Sequence, residues 1–112
     1  MCWTSRKLNE QVATKDITAY KVVIFNTIGC TSLFYKFNYE YNKLYTTSFT
    51  IQTFDFGFHI SEGFHSYKTI SQARKLGRFY WEHIVKCIIP KGSHYYINND
   101  DEIVSDKIII IG

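Results

Sequence analysis

A chain of 112 residues that is 46% hydrophobic and 18% aromatic can bury a core without metals or disulfides, and it is too apolar for a disordered protein. Its net charge of +3 is too mild to require a nucleic acid or an acidic membrane as partner. No apolar run reaches the length of a membrane span, so we expect no membrane partner. The cysteines, Cys2, Cys30 and Cys87, are odd in number and follow no secretory leader, which predicts reduced thiols in one cytoplasmic domain over residues 1–112.

The first half of the chain is predicted to begin with a short helix and to continue as strands. Leu8 and Val12 lie four residues apart, which favours a helix over Ser5–Ala13. Thr18–Asn26 is apolar on both faces when read as a strand, so it should lie in the centre of a sheet. A short strand, a turn and a half-exposed strand are predicted next, at Leu33–Phe37, Asn38–Asn42 and Leu44–Phe54.

The second half contains the best helix signal. Thr69 and Gln72 have the spacing of a capping box, so a helix should begin at Thr69 and end at Gly77 or continue to about Trp81. Beyond it we predict three strands and one turn, at Ile84–Ile89, His94–Ile97, Asn98–Asp101 (the turn) and Ile103–Ile111, with a bulge near Ser105–Lys107. The order predicts an α+β fold, with a mainly antiparallel sheet and one interior helix.

The strand pattern also predicts a core. Val85, Cys87 and Ile89 alternate along one strand and should face inward. Ile109 and Ile111 on the last strand should pack close to them.

Two Gly-Phe-His triplets, ending at His59 and His65, invite a metal or catalytic interpretation. A zinc site needs three or four ligands in tetrahedral reach, and only these two histidines are close in sequence. We therefore predict a glycine-punctuated loop, with no metal and no cofactor. Cys2 as an N-terminal nucleophile and the acidic run Asp100–Glu102 as an acid–base pair are weaker alternatives, since such runs are normally solvated.

A partner-binding surface is predicted from basic and aromatic residues near the helix and the following loop. Tyrosine and arginine dominate binding hot spots because each combines apolar area with a directional polar group. The predicted surface contains Arg74, Lys75, Arg78, Lys91, Tyr95 and Tyr96. Direct nucleic-acid binding is an open alternative: the nine tyrosines could stack on bases, but no RNA-binding signature is present.

Three segments carry a resemblance. The strings GFHSYKT at Gly63–Thr69, VKCIIPKGSHYY at Val85–Tyr96 and EIVSDKII at Glu102–Ile109 resemble a group of small uncharacterised bacterial and bacteriophage proteins. The resemblance covers about Ala19–Gly112 and implies a mobile-element setting. Accessory proteins of this kind commonly bind and disable a host defence protein. We therefore expect a protein that binds a protein partner, such as a nuclease or ribonucleoprotein, as an anti-CRISPR-like inhibitor of an RNA-guided nuclease.

A second, fainter resemblance is to ADP-ribosyltransferase-like domains. These have a Gly-Phe-aromatic-Ser/Thr turn before a helix, then a Pro-Lys-Gly strand and a Glu-hydrophobic strand, which Gly63–Ser66, Pro90–Gly92 and Glu102-Ile103 match in order. The resemblance implies an active or degenerate domain in which His65, Ser66 and Glu102 are the catalytic candidates. This chain departs from those enzymes at Tyr20-Lys21, where they carry an Arg or His for the dinucleotide.

Overall fold

The computed structural model describes residues 3–5, 9–25, 29–32, 38–54, 57–76, 82–98 and 100–112. Within these ranges the many β-branched and aromatic residues form thirteen strands, and seven residues form the one helix. In chain order the elements are β1 (Trp3–Ser5), β2 (Gln11–Val12), β3 (Ile17–Phe25), β4 (Gly29–Ser32), β5 (Asn38–Glu40), β6 (Leu44–Thr46), β7 (Thr50–Phe54), β8 (Gly57–Glu62), β9 (Phe64–Tyr67), α1 (Ile70–Leu76), β10 (Glu82–Ile89), β11 (His94–Ile97), β12 (Glu102–Ser105) and β13 (Lys107–Ile110).

The predicted α+β class is therefore wrong: strand accounts for 62% of the structure and helix for 7%, which makes the domain closer to all-β. The predicted N-terminal helix over Ser5–Ala13 is also wrong where the structure describes it. Ser5 ends β1, and β2 pairs with β11 through Gln11↔Tyr95 and Val12↔His94. Pairing between distant segments outweighs the weak helical spacing of this stretch.

The larger sheet is built around one long ladder. β3 and β10 pair at eight positions, from Ile17↔Ile89 to Ile24↔Glu82, which confirms a central place for the strand predicted at Thr18–Asn26. The full strand order is β2-β11-β12-β9-β3-β10-β13-β6, with β4 paired to β3 and β5 paired to β4. A second sheet has the order β1-β8-β7.

The larger sheet curls until it closes on itself. β12 pairs with β9 on one side of β3, whereas β13 pairs with β10 on the other side. Only Asp106 separates β12 from β13. The single strand predicted over Ile103–Ile111 is therefore two strands joined by a bend at this residue. The bend is fixed because the Asp106 N–H donates to the His94 carbonyl (3.0 Å) and the His94 N–H donates to Asp106 Oδ1 (2.9 Å). The strands β9, β3, β10 and β12–β13 thus form a ring around the core.

The main core lies inside this ring. Val85, Cys87 and Ile89 are buried there, as predicted. The prediction that Ile109 and Ile111 pack in this core is wrong, because the pair Cys87↔Ile110 puts Ile108 and Ile110 on the inward face. Ile109 is half-buried on the outward face, and Ile111 is 43% exposed.

A smaller core joins the two sheets. It consists of Ile60 from β8, Tyr96 from β11 and Val104 from β12, with Phe49 packed against it. Phe49 belongs to the segment predicted as one strand over Leu44–Phe54. That strand is broken, because β6 pairs with β13 in the larger sheet whereas β7 pairs with β8 in the smaller one.

Some of the remaining local predictions fall within the described residues and can be compared with the structure, whereas others fall outside them. Gln72 N–H donates to Thr69 Oγ1 (3.3 Å), which confirms the helix cap, while Gly77–Trp81 lie outside the described residues. Asn38–Glu40 is a strand rather than a turn, and the turn follows it at Tyr41–Asn42, where Asn42 has a φ of 60°. The strand predicted at Leu33–Phe37 falls outside the described residues. The only helix in the described ranges is too short to cross a membrane.

The phase of the last strand gives a stability prediction. Ile110→Ala should lower the free energy of unfolding by roughly 2–5 kcal/mol, because Ile110 is fully buried and its truncation leaves a cavity. Ile111→Ala is the matched control one residue away and should cost less than about 0.5 kcal/mol, since that side chain is largely in solvent. Urea denaturation measures both. Equal losses in the two variants would contradict the phase described here.

Candidate functional site

The described basic residues of the predicted partner surface are exposed, and those on α1 are separate from the tyrosines. Arg74 and Lys75 are exposed on α1, Lys91 is exposed at the turn after β10, and Arg78 lies outside the described residues. The helix contacts β3, β9 and β10, whereas the tyrosines belong to β11, which β12 and β9 separate from β3. The predicted surface is therefore two separate regions.

The two tyrosines are also less available than the sequence suggested. Tyr96 is 3% exposed in the smaller core, and its hydroxyl donates to Glu10 Oε2 (3.2 Å). Tyr95 is half-buried against the main core, and its hydroxyl donates to Gln11 Oε1 (3.1 Å). Both hydroxyls thus link the sheet to Glu10 and Gln11, at the start of β2.

The three alternative catalytic residues do not converge. Side chains alternate along β9, so Ser66 points into the main core with Phe64, while His65 and Tyr67 lie on the opposite face. Glu102 pairs with Tyr67 across β9 and β12, and the Tyr67 hydroxyl donates to Glu102 Oε2 (3.4 Å). Glu102 thus shares a face with His65, but Ser66 is on the other side of the strand.

Burial shifts the acid–base properties of these groups. The pKa of His65 is lowered to about 3, first by burial and then by the charge of Lys21, so the ring is neutral at physiological pH. Burial raises the pKa of Glu102, and burial together with Glu102 raises the pKa of Tyr67 to about 12. The atoms His65 Nε2 and Ser66 Oγ are buried without a hydrogen-bond partner among the described contacts.

An uncovered apolar area on the outward face of β6, β13 and β10 is the most prominent feature that the sequence interpretation missed. The pairs Ile109↔Leu44 and Ile88↔Ile109 put these three side chains on one face of adjacent strands. Ile111 continues that face along the chain, and the Ile111 N–H donates to the Lys86 carbonyl (2.9 Å). We call the outward side chains of Leu44, Ile88, Ile109 and Ile111 the apolar face.

The apolar face is partly exposed and lies at an edge of the sheet. Leu44 is 49% exposed and Ile111 is 43% exposed, and Tyr41, also exposed, adjoins Gly112. β6 is the terminal strand of the larger sheet. Single exposed apolar residues are ordinary, but contiguous ones on one sheet face mark interaction surfaces.

Two lysines border the apolar face. Lys86 is exposed next to Ile111, and its carbonyl accepts from both Ile111 and Gly112. Lys107 precedes Ile109 by two residues and therefore points to the same side, and its amine lies 3.4 Å from Asp106 Oδ2. The sequence carried a weak signal for this surface. Leu44 starts a strand of alternating polarity, and Lys107 is followed by four isoleucines, which put apolar side chains on both faces of a strand.

A buried lysine is the second feature that the sequence interpretation missed. Lys21 lies between Ala19 and Val23 on the inward side of β3 and is 7% exposed. Its amine donates to the His65 carbonyl (2.6 Å) and lies 5.6 Å from the centre of the Tyr39 ring. A signal existed: Lys21 is the single charged residue in a segment predicted to be buried on both faces.

The described surroundings of Lys21 contain no carboxylate that pairs with its amine. Burial lowers the pKa of this amine to about 8, partly offset by the Cys87 and Cys30 thiols. Burial in turn raises the pKa of Cys87 to about 12, and it raises the pKa of Cys30. Both are free thiols, and the raised pKa of Cys87 keeps its thiol neutral at physiological pH.

Within the described ranges, no cluster of three or more histidine, cysteine, aspartate or glutamate side chains could hold a metal ion. Comparison of the chain with protein-family models, with curated proteins and with solved structures finds no match.

Lys21 gives a prediction for the dependence of stability on pH. The folded-state pKa is about 8 and the unfolded value is 10.5, so between these values the unfolded chain binds more protons and stability from this group rises with pH. Only the unchanged protein carries this lysine. Its free energy of unfolding should therefore rise relative to that of Lys21→Met by on the order of 3 kcal/mol over this range. The Lys21 charge lowers the pKa of both Cys30 and Cys87, so the difference reports the lysine together with its effect on these thiols. Urea denaturation at several pH values measures it, and a difference independent of pH would contradict the burial of a charged amine.

Proposed function

We propose that this domain acts by binding a protein partner, with the apolar face as the centre of the contact. The observation that carries the proposal is the exposure of Leu44 and Ile111, which share one sheet face with the half-buried Ile88 and Ile109. Protein interfaces have an apolar centre that excludes water and a polar rim. The apolar face supplies such a centre, and Lys86 and Lys107 supply part of such a rim.

The chemistry of the surface indicates the kind of partner. Two lysines at the border favour a partner with carboxylates around an apolar patch, because complementary charge speeds encounter and fixes orientation. The most specific form of the proposal is inhibition of a host defence nuclease or ribonucleoprotein. That form is supported by the resemblance of Gly63–Thr69, Val85–Tyr96 and Glu102–Ile109 to bacterial and bacteriophage proteins, and it is independent of the apolar face.

The apolar face can be tested by charge insertion. The double variant Leu44→Asp, Ile111→Asp should weaken partner capture from the native host at least about 30-fold, which corresponds to the loss of a hot spot. Its melting temperature should stay close to that of the unchanged protein, because both side chains already lie largely in water.

Ile51→Asp is the matched control, since Ile51 is 40% exposed on β7 in the other sheet. It should leave capture intact. Capture that survives the double variant would refute the apolar face, and a concentration-dependent dimer that the double variant abolishes would show that the partner is a second copy of the chain.

The basic border gives a kinetic prediction. Lys86→Glu with Lys107→Glu should slow association with the captured partner and reduce the salt dependence of the association rate, leaving dissociation less affected. The matched control is Arg74→Glu with Lys75→Glu on α1, which removes the same charge from the surface predicted by sequence. If the helix variant alone slows association, the partner binds at α1 and not at the apolar face.

The ADP-ribosyltransferase alternative has its own test. A domain that binds NAD must gain thermal stability when NAD is added, because the ligand binds only the folded state. We expect no shift in melting temperature, since the amine of Lys21 faces the core and Ser66 points away from Glu102. A rise that His65→Ala or Glu102→Ala removes, while the fold stays intact, would replace the binding proposal with an enzymatic one.

A further inference from the structure

The strand β3 changes neighbours part of the way along its length. Its first half meets β9 at one pair, Tyr20↔Tyr67, and its last three residues pair with β4 at Val23↔Ser32 through Phe25↔Cys30. On its other side β3 pairs with β10 at eight positions, and β9 pairs with β12 at four. The junction of β3 with β9 is therefore the thinnest ladder in the ring that encloses the core.

A side chain takes the place of the missing ladder bond at this junction. If the register continued past Tyr20↔Tyr67 by two residues, His65 would face Val22. The ladder has no such pair, and the His65 carbonyl accepts from the Lys21 amine (2.6 Å). A carbonyl on the β3 side of β9 is thus satisfied by a lysine that approaches from the interior.

The amine that closes the junction is poorly accommodated. The groups facing it are the Cys87 thiol from β10, the Cys30 thiol from β4, the Tyr39 ring from β5 and the His65 carbonyl from β9. An ammonium offers three donors, and the described contacts give this one a single hydrogen bond. A buried charge without a compensating partner is costly, and hydration relieves that cost.

We infer that the domain opens locally at the junction of β3 with β9, and that this opening takes up a proton at the Lys21 amine. Separation of the two strands breaks one main-chain pair and one side-chain hydrogen bond, and it gives the amine access to water. The helix α1 touches both strands and follows β9 directly, so it moves or loosens with β9. The ladders of β10 with β3 and with β13 stay intact during the opening.

The size of the proton coupling follows from the two states of the amine. The pKa is about 8 when the junction is closed, and 10.5 is the value for a hydrated lysine. The equilibrium constant for opening should then fall roughly eight-fold between pH 7.5 and pH 9. The reason is that the closed state becomes more stable relative to the open state as the Lys21 amine loses its proton. The Cys87 thiol is neutral in the closed state over this range because burial raises its pKa to about 12, and burial also raises the pKa of Cys30.

Hydrogen exchange of the full chain tests the inference. In the unchanged protein, the main-chain amide of Tyr67, whose partner across the junction is Tyr20, should exchange at a lower opening free energy than the amides of β10 and β13, and this opening should show the eight-fold decrease. Lys21→Met should remove the decrease, whatever its absolute rate of exchange. Lys86→Met on the outward side of β10 is the matched control and should keep it.

Three results would overturn the inference. The first is equal opening free energies for the Tyr67 amide and the β10 amides in the unchanged protein, which would mean that the junction opens only by global unfolding. The second is an opening at Tyr67 that does not depend on pH, and the third is a pH dependence that persists in Lys21→Met. The first two need no variant, so the inference stays testable if Lys21→Met does not fold.

Discussion

The ladder between β3 and β10 is the constraint on which the rest of the structure depends. Its eight pairs fix which side chains of both strands point inward, and so place Ala19, Val23, Val85 and Cys87 in one core. The same phase leaves Ile88 on the outward side, where β13 and β6 extend it into the apolar face. It also forces Lys21 inward, because a residue between Ala19 and Val23 at two-residue spacing cannot face solvent. The exposed surface and the buried amine are both consequences of one register.

The two features have opposite relations to water. Leu44 and Ile111 are apolar side chains left in solvent, and Lys21 is a charged side chain taken out of it. Each arrangement costs stability, and natural sequences keep such costs mainly where they serve a function. A partner that covers the apolar face removes the first cost, and a local opening that hydrates the amine removes the second. The two sites lie on opposite faces of the β3–β10 ladder, so each can be tested without disturbing the other.

Features that depend on residue spacing within one element could be predicted from the sequence. Features that depend on which distant segments pair with each other could not. The Thr69 cap and the inward side of β10 depend on spacing within one element, and both are confirmed. Whether Ile109 faces inward or outward depends on which residue of β10 it pairs with. Whether Tyr96 is buried depends on the second sheet, which covers it. The apolar face could not be predicted, because it is assembled from β6, β10 and β13. Lys21 could have been, since a lone charge in an apolar strand already implied burial.

The bend at Asp106 bears on how the chain is made. All strands that pair with β12 and β13 precede them in the sequence, so the ring closes only when residues 102–110 join it. A chain on the ribosome that lacks those residues has β10 and β9 with one edge each unpaired and its apolar interior uncovered. Unpaired edges and exposed apolar strands make such species prone to aggregation. The yield of this protein in cells should therefore depend on chaperones that shield the growing chain, and slowing translation before residue 102 should lower that yield.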